Sequence, residues 1–287
     1  MSTLWERADS FIWHNARLLE RRLYAYHFKQ GARAAVIDAL RGYQNADGGF
    51  GNALEPDIRC PDSQPVPVQH ALEIMDAVGG LDAELLRGIL DFLPTITTEE
   101  GGVPFILPTV MPYPHAPWWS TGDNPPASLN PTAGIVAVLH KHGVQHPWLE
   151  RATEFCWRKL DGTLPEQPDE MGGVLAFAQH VPERVRAQGL VKQLNDHLLT
   201  SGLVGDVHDT GYVRKPLDWA PRPDHPCRPL FSPQVIEANL DALMAGQQDD
   251  GGWAISWPPI SAACELEWRG WVTLNALLIL KANGRLS

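Results

Sequence analysis

Gln44-Asn45-Ala46-Asp47-Gly48-Gly49-Phe50 and Gln247-Gln248-Asp249-Asp250-Gly251-Gly252-Trp253 agree at Gln, Asp, both glycines and a terminal aromatic. They begin at residues 44 and 247, a separation of four periods of about 51 residues, close to the lengths found in repeat architectures. A degenerate copy, Glu100-Gly101-Gly102-Val103, falls one period after Asp47, and Glu170-Met171-Gly172-Gly173-Val174 is a weaker echo out of phase. The copies expected near 151 and 201 are not recognisable. The pattern has a direct physical reading. A helix ends at the Gln, and the glycines reach backbone angles closed to other residues. The Gln and Asp side chains satisfy backbone groups left open at the helix end, and the aromatic inserts into the neighbouring layer. Each unit is then an outer helix, a Gly-Gly turn and an inner helix, and such pairs bury their apolar faces only against their neighbours.

Outward from the repeats the chain reads as helices. Apolar residues recur near every 3.6 positions over 11–28, where Ile12, Leu18, Leu19, Leu23 and Tyr26 share a face, and over 32–43. Further helices are expected over 66–78, 81–92, 131–142, 147–160, 171–180, 182–199, 233–245 and 265–282. No period-2 series competes with them. Many of the 25 prolines mark helix starts: Pro131, Pro147, Pro182 and Pro233 each suit a first helical position, where no amide donor is lost. Asn130 and Ser232 can cap. Two proline-rich stretches, 103–129 and 202–231, resist a helical reading. They are either stiff crossings between helices or functional loops held on a rigid scaffold.

The 287 residues are 44% hydrophobic and 20% charged, a balance that supports a sizeable buried core. The formal charge of −11 argues against a nucleic-acid partner, which needs clustered Lys and Arg. Cys60, Cys156, Cys227 and Cys264 are scattered, with no Cys-x-x-Cys pair, as expected of reduced thiols in a cytoplasmic protein. Residues 1–22 alternate charge with apolar residues, unlike a signal peptide, and no stretch approaches a membrane span of roughly 18 apolar residues.

The Gln-x-x-Asp-Gly-Gly-Trp/Phe pattern resembles the repeats of squalene–hopene cyclases, oxidosqualene cyclases and protein prenyltransferase β subunits. The resemblance implies an all-α toroid of about five to six helix pairs, a single α/α barrel domain over residues 1–287, around a central cavity for a small, isoprenoid-type ligand. In that family the motif braces the scaffold, so Asp47 and Asp250 are expected to be structural. The Asp-x-Asp-Asp acid of the class II cyclases has no counterpart here. Zinc in the prenyltransferases is held by Asp, Cys and His from separate positions, whereas Asp224, His225 and Cys227 stand in one short run. No metal and no cofactor is expected.

Candidate catalytic groups are Glu55, Asp57 and Asp62, on the connection entering the helix near 66–78, and Glu267 on the last helix. A helix start favours ionised carboxylates. That suits a general base, a cation binder or a loop-ordering cap better than an acid that protonates an alkene. Glu267, Trp271 and Asn275 share one helical face, behind an acidic first turn that includes Glu265. Trp118, Trp119, Trp219, Trp268 and Trp271, among 11 tryptophans, are candidate ligand contacts, since indole faces attract cations and stack on sugars. Three classes of function remain open: a terpene-cyclase-like or prenyltransferase-like enzyme, a carbohydrate-active hydrolase or lyase, and a non-catalytic binding toroid.

Overall fold

The helices form where the 3.6-residue periodicity lies. A computed structural model describes residues 2–286, and among them there is no strand, only isolated β-bridges. In chain order the helices are α1 (Leu4–Asn15), α2 (Leu18–Phe28), α3 (Arg33–Arg41), α4 (Pro65–Ala77), α5 (Ala83–Phe92), α6 (Leu129–Lys141), α7 (Pro147–Leu160), α8 (Pro168–His180), α9 (Arg184–Thr200), α10 (Pro216–Trp219), α11 (Pro233–Ala245) and α12 (Ala262–Ala282).

Several details differ from the sequence reading; Pro182, for one, lies ahead of α9, which begins at Arg184. The expected helix over 11–28 is two helices, because Ala16 and Arg17 are extended at the break. There Arg17 binds the fully buried Glu20 through two contacts of 3.0 and 2.5 Å. Gly270 of α12 sits so close that an added Cβ would fall 2.8 Å from the Ala16 methyl. Asn130 does not cap: it has non-helical angles inside α6, before a cis bond to Pro131. The Glu170–Val174 echo is a stretch of α8 and not a turn. Pro147 and Pro233 do open α7 and α11, and Ser232 caps α11 by accepting the Val235 N–H at 3.3 Å.

The chain divides into two units, Ile37–His197 and Met1–Val36 with Leu198–Ser287. In the first, α6 packs on α4, α7 and α8. It is buried from Leu129 to Leu139 except at Asn130, as an interior helix apolar on every side must be. Outside it, α5 and α7 bury one apolar stripe each, including Leu85, Ile89 and Phe92 on α5 and Trp148, Phe155 and Cys156 on α7. In the other unit α12 packs on α1, α2 and α11.

The two heptapeptides share one conformation. Asn45 N–H reaches Gly49 O at 2.9 Å and Gly48 N–H reaches Asn45 O at 3.0 Å; the matching bonds, Gln248 to Gly252 and Gly251 to Gln248, are 2.8 and 2.9 Å. Asp47 and Asp250 accept the N–H of the second glycine at 2.9 and 3.1 Å. The degenerate copy adopts the same turn, with Thr98 N–H on Gly102 O and Gly101 N–H on Thr98 O, both at 3.0 Å. The first glycine has φ of 86°, 98° and 94° at Gly48, Gly101 and Gly251.

Each turn docks on a helix in the same way. A Cβ on Gly48 would stand 2.2 Å from Gly88 O of α5, and on Gly251 2.3 Å from Arg7 O of α1. The second glycine meets a phenylalanine four residues further along that helix: Phe92 for Gly49, Phe155 for Gly102 and Phe11 for Gly252. The Gln carboxamides donate to Leu85 O at 3.1 Å and Leu4 O at 2.9 Å, three residues before the glycine contact. After the turn, Val103 N–H and Trp253 N–H each donate to a threonine of a following helix, Thr132 and Thr273, at 3.0 Å.

Two expectations follow. Gly48→Ala forces a Cβ into backbone at positive φ and should cost roughly 3 kcal/mol in urea unfolding. Gly172→Ala, an exposed helical site with nothing within 4 Å, should instead gain about 0.5–1 kcal/mol. The second concerns Asp250. The Arg269 guanidinium, 2.7 Å away, holds its carboxyl below the usual carboxylate range; slight burial opposes this and the Gly252 N–H reinforces it. A folded-state pKa below the unfolded value adds stability that is present above the ordinary Asp range and lost as pH falls through the folded value. The stability gap between wild type and Arg269→Met should therefore be constant near neutrality and narrow below about pH 4, as denaturant titrations at stepped pH would show.

Candidate functional site

The acidic connection between the first heptapeptide and α4 is not a surface loop. Glu55 is 3% and Asp57 2% exposed. A buried carboxylate is costly without partners, and α4 supplies one: His70 Nδ1 lies 3.2 Å from Glu55 Oε2. The His70 side chain is 30% exposed and that of Glu55 4%, so the imidazole touches both solvent and the buried acid. Next to His70 on α4, Gln69 donates to Glu73, one turn on, at 2.7 Å, and Gly134 of α6 comes close enough that a Cβ there would overlap the Gln69 carboxamide.

The 103–129 crossing closes on this connection. Ile58 bridges His115, Arg59 N–H donates to Pro114 O, and Ala116 N–H donates to Asp57 O, both at 3.0 Å. Gln64, fully buried just before α4, ties the two segments together. Its backbone N–H reaches Phe50 O at 2.8 Å, its carboxamide donates to Thr109 Oγ1 at 2.8 Å, and its Oε1 accepts Leu107 N–H at 2.9 Å. Cys60 donates to Thr109 O at 3.3 Å, and burial pushes its thiol pKa up.

Three residues past Ala116, Trp119 is buried and stacks on Phe105, with ring centroids 4.7 Å apart and planes 18° apart. Its indole N–H is buried without a hydrogen bond among the described residues. The backbone thus brings the Glu55–Asp57 segment and the Trp118–Trp119 segment together. Trp118 is 43% exposed, and Asp62 is also exposed, beside Gly51.

The remaining sequence candidates lie in the other unit. Trp219 is buried, Trp268 stands edge-on to Trp257 at 5.1 Å, and Glu267 and Trp271 are half-buried on α12, while Asn275 is exposed. Asp224 pairs with Arg222 at 3.1 Å, His225 Nδ1 faces the Cys227 N–H at 3.2 Å, and Cys227 is buried. Among the described residues no group of three or more His, Cys, Asp or Glu side chains is placed to hold a metal ion, and no helix is long and apolar enough to cross a membrane.

His70 and Gln64 are the site residues that sequence reasoning missed. The available signal was the polar residues Gln69, His70 and Glu73 inside the otherwise apolar stretch from Val66 to Met75. Gln64→Leu strands the Leu107 N–H and the Thr109 hydroxyl, and should cost about 1–3 kcal/mol. Limited proteolysis should then cut within 103–128 sooner than in wild type.

No family model and no curated protein matches this sequence. Solved structures do. A protein from Actinoplanes aligns over 96% of this chain and 98% of its own, with a TM-score of 0.59 and 14% identity. The type II terpene cyclase MstE from Scytonema, an Asp-to-Asn variant in complex with its substrate geranylgeranyl dihydroxybenzoate, aligns over 99% of this chain and 88% of its own, with a TM-score of 0.50 and 15% identity. At such identities the likeness is one of fold. The expected fold class, all-α of the α/α toroid type, is the one this chain shares with a type II terpene cyclase.

Proposed function

We propose that this protein is a terpene-cyclase-like or prenyltransferase-like enzyme of the squalene cyclase superfamily, taking a hydrophobic, isoprenoid-type substrate, with Glu55 exchanging the proton. The observation that carries the reading is the buried Glu55 against His70, on a fold shared with a cyclase that acts on a geranylgeranyl compound. A buried acid that gives up a proton must regain it. An imidazole that contacts both that acid and solvent offers a path, since it can donate or accept at Nδ1. Asp57 holds the loop and supplies a second carboxyl to the same segment. Trp119 and Phe105 offer a stacked aromatic face, of the kind that attracts developing positive charge. In the other unit Glu267 stays a candidate catalytic group, with Trp268 and Trp271 as candidate ligand contacts.

The test is turnover of a panel of prenylated phenols, linear polyenes and prenyl diphosphates, followed by mass spectrometry of products. Glu55→Gln should lower kcat about 100-fold or more with little change in KM. His70→Ala should lower it less and displace the pH profile. Trp119→Leu should raise KM. Cleavage of oligosaccharides instead, lost in Glu55→Gln, would move the assignment to the carbohydrate-active class. Turnover of prenyl substrates indifferent to both Glu55→Gln and Asp57→Asn would remove this segment from the chemistry.

A further inference from the structure

The proline-rich 202–231 stretch ends in a cleft of about 550 Å³ against the start of α11, within the roughly 300–1,000 Å³ that ligand pockets occupy. Ile236, buried, and Phe231, half-buried, give it apolar wall, together with the rings of Pro226 and Pro229. All of these residues lie in the unit that does not hold Glu55, so the site stands whether or not the reaction assigned to Glu55 is correct.

Two polar groups on the cleft have unused donors. Arg228 is half-buried, and its guanidinium holds only neutral oxygens, Ala220 O at 3.1 Å and Asn283 Oδ1 at 2.8 Å. It meets no carboxylate among the described residues, and its remaining N–H groups make no hydrogen bond there. A partly desolvated charge without a counter-ion is unfavourable. His225 is the second group. Its Nδ1 lies 3.2 Å from the Cys227 backbone N–H, which can only donate. Nδ1 is therefore the acceptor, and the ring is a neutral imidazole with its proton on Nε2. That N–H has no partner among the described residues.

The two acids on the cleft are exposed, and each has its own arginine. Asp224 pairs with Arg222 at 3.1 Å, and Glu237 pairs with Arg285, which also meets Asp241 at 3.3 Å. Arg228 is the cation left without a partner.

We propose that this cleft binds an arene monocarboxylate, with its carboxylate on the Arg228 fork and the His225 Nε2–H. The planar fork matches a carboxylate, which can take two of its N–H groups at once. Asp224 and Glu237 disfavour a more highly charged anion such as a phosphate. The flat faces of Phe231 and the proline rings receive the ring of the ligand.

Calorimetric titration of the full-length protein with 2-naphthoate tests the assignment. Binding should be measurable at millimolar ligand or below, and 2-naphthamide, similar in shape but uncharged, should bind at least tenfold more weakly. Arg228→Met should lose affinity by a similar factor. Because Arg228 also anchors Asn283, a second variant leaves it in place: Asp224→Asn removes an exposed like charge and should tighten 2-naphthoate severalfold at low salt, a gain that disappears near 0.5 M salt. No heat of binding at about 5 mM 2-naphthoate, equal affinity for the amide, preference for inorganic phosphate, or an Asp224→Asn variant that binds no tighter would each overturn it.

Discussion

Backbone lying directly on backbone is what the structure is built on. At Gly48 and Gly251 the turn approaches a carbonyl of the adjoining helix so closely that no side-chain atom fits between them. Both glycines also hold a φ that L-residues rarely adopt. Steric permission and conformational permission are therefore needed at the same position. Each contact is then triangulated. A phenylalanine one helical turn on meets the second glycine, and a side chain at the Gln position bonds one turn back. At the degenerate copy that last role is inverted, with Trp148 Nε1 donating to Thr97 Oγ1 at 2.7 Å. Three fixed points on one helix face leave it little freedom to slide or rotate, which propensity and apolar burial alone do not prevent.

That rigidity is what lets a connection hold buried carboxylates. Glu55 and Asp57 sit between a locked turn at residues 44–50 and the start of α4, with Gln64 bonded to both the turn and the 103–129 crossing. Desolvating an acid in a mobile loop would simply expel the loop into water. Here hydrogen bonds at Asp57, Arg59 and Gln64 hold the segment in place, and a histidine of α4 meets the acid. Strain and burial of this kind concentrate at sites whose surroundings over-determine them.

The fold was legible because its determinants are local: periodic apolar faces, prolines at helix starts, and a seven-residue turn whose glycines and acid act on one another. The break at Ala16 and Arg17 was not, since it depends on Gly270 and on the burial of Glu20, both remote in sequence or invisible in periodicity. The site was half legible. Glu55 and Asp57 stood out as acids near a helix start, but that position says nothing of their burial, which is set by residues 103–116 arriving from elsewhere. His70 was hidden for the same reason: a polar residue in a largely apolar helix gains meaning only from what faces it. The third turn was recognised from two glycines and an acid, yet its acid points outward to Lys159, a switch of partner that no local pattern encodes.

Two glutamates of one unit show how much such partners decide. Glu55 is the more deeply buried, and its imidazole neighbour can serve it in either protonation state, as donor to a carboxylate or acceptor from an acid. Glu170 is less buried but unaccompanied, so burial acts on it alone and favours the neutral acid. The same turn chemistry stands behind both. One copy fixes the segment that buries Glu55, and another, with its acid redirected, steadies the lysine beside Glu170. Titrating groups with divergent environments mark separate roles more securely than acidity itself. On that ground the two carboxyls, one paired and one not, are unlike groups on one helical scaffold.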